Sequence, residues 1–219
     1  MTDMDMDMDM DMDMDMDEML RKLSMWLPAG LFEHSRRTAD LAGKLADRWS
    51  AGHEAFIVRT RTAGWLHDCG KPIPREELIS FCRSRALPVG RWMRRMPGLL
   101  HGPAGGAVAA EKFGCPDQVI RRAIVEHTLG RPGMGLMEKI VFVADYAEEG
   151  RSHASAEEVR EKAFLDLDAA VVDAIDGKLI YLVKKQALVH PRIIMTRNSL
   201  LLCGKRQPKE REGEGERSL

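Results

Sequence analysis

The sequence has few aromatic residues, few cysteines and no long apolar run. Phe, Trp and Tyr make up 5% of its 219 residues, and the four cysteines show no Cys-x-x-Cys spacing. Structural zinc sites and redox pairs commonly use that spacing, so we interpret the cysteines as packing thiols. The sequence shows no signal peptide, which predicts a reducing cytoplasm as their environment. No apolar stretch approaches the roughly 18 residues of a membrane helix, which predicts a soluble protein.

Charge is distributed unevenly along the chain. The formal net charge is −1, but residues 1–18 hold eight Asp, one Glu and no basic residue, so the remainder carries +8. A mildly basic body fits an anionic ligand. A solvated basic surface is the alternative, and it needs no ligand at all.

Both ends of the chain have compositions that argue against packing. Residues 3–17 alternate strictly between Asp and Met, and residues 204–219 mix Lys, Arg and Glu with almost no apolar side chain. We therefore expect a disordered Met-Asp repeat at 1–18, one domain at 19–202 and a charged disordered tail at 203–219. A metal-scavenging role for the repeat is disfavoured because flexible carboxylates bind hard cations weakly.

Apolar residues between the two ends recur at helical spacing, which predicts an all-α helical bundle. His34 shares the apolar face of one predicted helix, and His127 shares that of another. The predicted helix before Pro72 delivers His67 and Asp68 at its end, and His101 lies just before a helix that starts at Pro103. Asp145 falls at the buried edge of a further helix. A histidine on an apolar face is more often a hydrogen-bonded core residue than a ligand, so each position taken singly is weak evidence for a metal site.

Together these residues form a set of four imidazoles and two carboxylates. The set comprises His34, His67, Asp68, His101, His127 and Asp145. A buried carboxylate without a partner costs several kcal/mol, roughly, and a divalent metal removes that cost. Nitrogen and oxygen ligands without thiolate suit iron, manganese, zinc or nickel at a catalytic site, and the set is large enough for two metals if Asp68 bridges them. The chemistry indicated is metal-assisted hydrolysis of a phosphate ester or anhydride.

The order of these motifs resembles a known superfamily. His, then His-Asp, then Asp is similar to the HD metal-dependent phosphohydrolases. The stretches that resemble the YqeK subfamily within it are Leu99-Leu-His-Gly-Pro, His127-Thr-Leu-Gly-Arg-Pro-Gly-Met, Glu138-Lys-Ile-Val-Phe-Val-Ala-Asp-Tyr and His190-Pro with the later Arg197-Asn. The match runs from about residue 20 to about residue 202. One departure is Cys69-Gly70 after the His-Asp pair, where a bulky residue is expected, and it could loosen the pocket wall.

The resemblance implies an enzyme that cleaves diadenosine tetraphosphate symmetrically to two ADP, usually with iron. A polyphosphate needs cationic donors besides the metals. Five residues in the motif stretches could donate hydrogen bonds to the phosphates, four through a positive charge and one through a hydroxyl: Lys71, Arg131, Arg151, Arg197 and Thr128. Each of them could instead be an ordinary surface group. We assign the catalytic roles to Asp68, as the bridging ligand, and to Lys71 and Arg131, as the groups that stabilise charge on the departing ADP.

Two alternatives remain open at this point. HD sites also act on other nucleotides, so the second hypothesis is a different nucleotide phosphohydrolase or a phosphodiesterase. A non-catalytic nucleotide-binding module is the third, and it would be expected to lack a ligand. We expect no membrane partner and no nucleic-acid partner, despite the arginines around Trp92, and a homodimer is open.

Overall fold

A computed structural model describes residues 15–153 and 155–204, and these residues form helices with no strand among them. The helices are α1 Met16–Trp26, α2 Ala29–Ser50, α3 Glu54–Leu66, α4 Leu78–Ser84, α5 Arg91–Arg95, α6 His101–Glu111, α7 Gln118–Glu126, α8 Leu136–Ala147, α9 Ser155–Ala163, α10 Leu167–Lys184 and α11 Pro191–Gly204, with a 3₁₀ turn at Pro97–Leu100 before α6. The predicted all-α fold is confirmed. No helix in the described part of the chain is long and apolar enough to cross a membrane.

The ordered bundle begins earlier than the sequence suggested. Asp15 caps α1 by accepting hydrogen bonds from the backbone N–H groups of Asp17 and Glu18, at 3.1 and 3.2 Å, and Met19 is buried. The helix therefore includes the last residues of the segment that we expected to be disordered, because Asp is both the repeat residue and a good N-cap. At the other end α11 runs to Gly204. Residues 1–14 and 205–219, the rest of the repeat and tail, lie outside the described residues.

Two apolar clusters form the core. One gathers Leu45, Phe142 and Ile175, and the other gathers Leu23, Leu66 and Ile124. Helices α2 and α8 contribute residues to both clusters, and they pack against each other and against α3. These two central helices also carry His34 and Asp145, so both residues lie on helices that contribute to both core clusters.

Close helix packing depends on small residues at one crossing. A Cβ atom built on Gly64 in α3 would lie 2.7 Å from the Cα atom of Ala39 in α2. Only a glycine permits that approach of two backbones. The crossing fixes α2 beside the end of α3, and so brings His34 close to His67.

Candidate metal centre

The structure brings all six predicted ligands together. His34 lies in α2, His67 and Asp68 directly follow α3, His101 is the first residue of α6, His127 directly follows α7, and Asp145 lies in the last turns of α8. His34, His67, Asp68 and His127 are buried, and the other two are half-buried. Helix ends that converge in this way put the side chains of five segments into one volume.

Asp68 is shared between two groups of ligand atoms. One group contains His34, His67 and Asp68, the other contains Asp68, His101 and His127, and in each the ligand atoms lie within 4.8 Å of one another. Asp68 Oδ2 faces the first pair, with Nε2 of His67 at 3.1 Å and Nε2 of His34 at 3.6 Å. Its Oδ1 faces the second pair, at 3.5 Å from His127 and 3.6 Å from His101. This geometry is that of a bridging carboxylate.

All four imidazoles turn the same nitrogen toward the centre. Three of them donate a hydrogen bond from Nδ1 to a backbone carbonyl oxygen three residues earlier, at 2.6 to 2.7 Å. The pairs are His67 with Gly64, His101 with Gly98, and His127 with Ile124. In His34 the acceptor is a carboxylate oxygen of Glu148, at 3.2 Å. Because Nδ1 is occupied by a hydrogen bond in each ring, Nε2 is the nitrogen that faces inward and would bind a metal in place of a proton.

Two further observations fit a cation at this place. Oδ1 of Asp68 is buried and has no hydrogen-bond partner among the described residues, a state that a metal ion would relieve. Burial lowers the pKa of His67, but the charges of Asp68 and Asp145 outweigh it and raise that pKa to about 10. A local field that holds a proton so strongly also favours a divalent cation. The donor set therefore fits one or two metal ions.

The ionisation of the other ligands agrees with this. Burial works against charged carboxylates, yet the neighbouring histidines hold the pKa values of Asp68 and Asp145 well below the usual range. Burial and the nearby charge of His127 lower the pKa of His101 to about 4. At neutral pH both carboxylates are therefore ionised and His101 is neutral, as ligands must be.

Hydrogen-bond donors surround the cluster. Lys71 Nζ lies 2.5 Å from Asp68 Oδ2, and the Thr128 hydroxyl lies 3.0 Å from His127 Nε2 and 3.2 Å from His101 Nε2. Arg151 donates to Asp145 Oδ1 at 2.8 Å and to the Asp145 carbonyl at 3.0 Å. The structure thus places Lys71, Thr128 and Arg151 against the metal ligands, where the sequence predicted substrate contacts.

Arg131 and Arg197 lie elsewhere. The Arg131 guanidinium is paired with Glu138, a buried residue in the first turn of α8, at 2.9 to 3.2 Å. Arg197 is paired with Asp176 in α10. Neither contacts the six ligands in the described part of the chain, so each would have to exchange a carboxylate for a phosphate in order to act as predicted. The motif positions of Arg131 and Arg197 could not reveal those partners, because only the fold brings each carboxylate within reach of its arginine.

Two residues that the structure places at the centre were not predicted from the sequence. Glu148 is buried and joins His34 to Arg37, whose Nε lies 2.5 Å from it. Lys178 in α10 puts its Nζ 3.9 Å from Asp145 Oδ2 and 4.1 Å from the centre of the Phe142 ring. Burial lowers the pKa of Lys178, and the charge of Asp145 opposes that effect. The one sequence signal for Glu148 was its place three residues after Asp145.

Comparison with known proteins supports this architecture. A model of the HD domain family matches residues 31–177, a range that contains all six ligands. The chain belongs to the HD domain family. His67 and Asp68 are the adjacent His and Asp of the centre, and Asp68 belongs to both ligand groups. HD domains bind divalent metals. The family identification therefore agrees with the fit of the donor set to a metal ion.

HD relatives with curated names share most of the chain. The symmetrical bis(5'-nucleosyl)-tetraphosphatase of Bacillus subtilis (strain 168) is 32% identical over 184 residues, which is 84% of this chain and 96% of that protein. The enzyme of the same name from Staphylococcus aureus (strain NCTC 8325 / PS 47) is 29% identical, over 77% of this chain and 85% of that one. These matches are consistent with the YqeK subfamily.

A solved HD structure has the same fold. The protein comes from Clostridium acetobutylicum and is described as a predicted HD superfamily hydrolase involved in NAD metabolism. It superposes with a TM-score of 0.80 at 33% identity, covering 85% of this chain and 97% of that one.

Proposed function

We propose that this HD domain hydrolyses dinucleoside polyphosphates symmetrically, with diadenosine tetraphosphate as the substrate and two ADP as the products. The observation that carries the proposal is the pair of ligand groups that share Asp68, one facing each of its oxygens. The named relatives over most of the chain support the choice of substrate. The oxygen of water bonds to one of the two inner phosphorus atoms, and the bond from that phosphorus to the bridging oxygen of the central P–O–P group breaks. One ADP then carries the oxygen from water, and the other leaves with the bridging oxygen.

The roles of the chain's own residues follow from their positions. We propose His34, His67, Asp68 and Asp145 as ligands of one metal, and Asp68, His101 and His127 as ligands of a second. Divalent cations held there would lower the pKa of water and neutralise phosphoryl oxygens.

The donors around the metal ligands would act on the polyphosphate itself. The Thr128 hydroxyl can donate to a phosphate oxygen, and Lys71, Arg151 and Lys178 surround the same volume with positive charge. Cationic donors of this kind compensate the charge that develops on a departing phosphate.

The finer assignments belong to the same proposal. Iron is the metal we propose, with manganese, zinc and nickel as alternatives that the same ligands accept. Metal analysis of freshly purified protein decides among them. A cytoplasmic location, a homodimer and the absence of a nucleic-acid partner stay predictions.

Product analysis tests the function directly. Metal-loaded protein incubated with diadenosine tetraphosphate should yield ADP as the sole nucleotide, detected by ion-pair chromatography. AMP with ATP would show asymmetric cleavage and contradict the proposal. No product from this substrate, with hydrolysis of another nucleotide, would favour the second reading, and binding without hydrolysis of any nucleotide would favour a non-catalytic module.

Glu148→Gln should weaken metal binding although Glu148 is not a ligand. The carboxylate accepts from His34 Nδ1, and its charge strengthens that hydrogen bond and raises the basicity of Nε2. Losing such a partner costs roughly 10- to 100-fold in metal affinity, and calorimetric titration with Mn²⁺ measures it. Glu149→Gln is the matched control, because Glu149 is exposed and pairs with Lys44. Equal affinities for the two variants would rule out the orienting role.

A further inference from the structure

A mostly apolar cavity of about 420 Å³ lies beside the metal centre. Its walls include Leu99 from the 3₁₀ turn, Leu182 from α10, Leu188 from the α10–α11 connection and Ile193 from α11. A volume of this size is in the range of small-molecule sites, which are typically apolar with a few oriented polar groups. Nothing in the proposed ligand or phosphate contacts accounts for it.

Two residues of the cavity wall adjoin the second group of metal ligands. Gly98 lines it, and the carbonyl oxygen of Gly98 accepts the hydrogen bond from Nδ1 of His101 at 2.6 Å. Leu129 also lines it and directly follows Thr128, whose hydroxyl lies beside His101 and His127. The cavity is therefore separated from the second group of ligands by one layer of residues, which is within reach of a molecule whose phosphates lie at those ligands.

His190 provides an oriented polar group in the wall. Its Nδ1 accepts a hydrogen bond from the backbone N–H of Arg192 at 3.1 Å, so in the neutral ring the hydrogen is on Nε2. Burial and the charge of Arg192 lower the pKa of His190, which keeps the ring neutral at pH 7. The ring also packs against Trp92, with centroids 6.4 Å apart. A flat, neutral ring with one N–H donor suits a nucleobase, which offers a π face and ring-nitrogen acceptors.

Two arginines give the cavity its charge. Arg75 and Arg95 both line it, and neither has a carboxylate within 4 Å in the part of the chain that the structure describes. Arg131, Arg192 and Arg197 do have carboxylate partners. An apolar floor with unpaired guanidiniums complements a ligand that joins an apolar ring to phosphates.

We propose that this cavity binds one nucleoside of the substrate. The base would lie against the leucine walls and His190, and Arg75 and Arg95 would lie near the phosphate adjoining that nucleoside. The inference rests on the proposed function, since it takes the ligand at the metal centre to be a dinucleoside polyphosphate.

Leu188→Glu tests the proposal, because it puts a hydrated carboxylate in the apolar wall against which the uncharged base would lie. Leu188 is 53% exposed, so the fold should tolerate the change. Ile180→Glu is the matched control, since Ile180 is 55% exposed on α10 and does not line the cavity. Calorimetry with Mn²⁺-loaded protein should show ADP binding at least about tenfold weaker in Leu188→Glu than in Ile180→Glu. The affinity for inorganic pyrophosphate should be equal in the two variants.

Each other outcome contradicts the proposal in a recognisable way. If the affinity for pyrophosphate falls as much as the affinity for ADP in Leu188→Glu, the cavity affects the binding of phosphates and holds no nucleoside. If ADP affinity is equal in the two variants but size-exclusion chromatography shows a change in oligomeric state for Leu188→Glu alone, the cavity is covered by a second copy of the chain. If both variants bind ADP equally while the unaltered protein produces only ADP from diadenosine tetraphosphate, the nucleoside site is refuted and the proposed function stands.

Discussion

Asp68→Asn should abolish metal binding and turnover together. Each oxygen of Asp68 faces a different pair of imidazole Nε2 atoms, and its side chain is fully buried. An amide in the same place has one oxygen and no negative charge, and its NH₂ group would point hydrogens at one of those pairs. We expect metal content near zero by elemental mass spectrometry and a fall in kcat on the order of 1000-fold or more.

Two comparisons separate this effect from unfolding. Asn has nearly the shape of Asp, so the circular dichroism spectrum should be that of the unaltered protein after both have been stripped with a chelator. Asp173→Asn should retain metal and activity, because Asp173 is on the surface of α10 and pairs with Lys162. Retention of both metal and turnover in Asp68→Asn would show that Asp68 is not the shared ligand.

The six ligands could be predicted because each belongs to a local pattern. His34 and His127 share apolar helix faces and Asp145 falls at the buried edge of its helix, so their inward direction follows from helix periodicity. His67 and Asp68 are placed by the end of one predicted helix, and His101 by its position just before another. Polar residues forced toward a core require a shared partner. That requirement, and not the spacing between motifs, is what joins five distant segments into one site.

The surrounding residues could not be predicted in this way, because their roles depend on contacts between helices. Glu148 looks like its neighbour Glu149, and only the fold directs one to His34 and the other to Lys44. Lys178 looks like part of a solvated face until α10 packs over α8. Arg197 has a motif position but finds Asp176 in a different helix. Charged side chains on helix surfaces carry little periodic signal, so tertiary packing decides which of them reach the site.

The cavity beside His190 is a further case. Its walls come from the 3₁₀ turn, the end of α10 and the start of α11. Apolar residues show little periodicity between Pro74 and Gly98, so the sequence does not indicate that Arg75 and Arg95 line a cavity with Leu188. The proposed nucleoside site is therefore an inference from structure alone.

Cys69 and Gly70 stand where the YqeK subfamily is expected to have a bulky residue, and the structure shows an effect opposite to the one expected. We expected small residues after the His-Asp pair to loosen the pocket wall. Instead Cys69 is buried, with its Sγ 3.2 Å from the Gly105 carbonyl oxygen. Gly70 lies against the backbone of α6, the helix that begins with His101. The absence of a side chain lets α6 approach the His-Asp turn, so the wall is tight at this point.

Gly70→Ala should therefore be strongly destabilising. A Cβ atom there would lie 2.2 Å from the His101 carbonyl oxygen and 2.6 Å from the backbone nitrogen of Gly105. Backbone atoms cannot rotate away as a side chain can, so the turn and α6 must separate. We expect a loss of about 3 kcal/mol or more in unfolding free energy, or roughly 6–12 °C in Tm for a domain of this size. Differential scanning calorimetry measures that loss.

The same variant connects the fold to the chemistry. Separating α6 from the turn moves His101 away from Asp68 Oδ1, so Gly70→Ala should also bind fewer equivalents of Mn²⁺ at temperatures where it remains folded. Gly90→Ala is the control, because nothing lies within 4 Å of a Cβ atom at Gly90, and its Tm and metal content should not change. A Tm for Gly70→Ala equal to that of Gly90→Ala would mean that α6 does not need this contact. The second group of ligands would then have to be held in place by the α6–α7 packing alone.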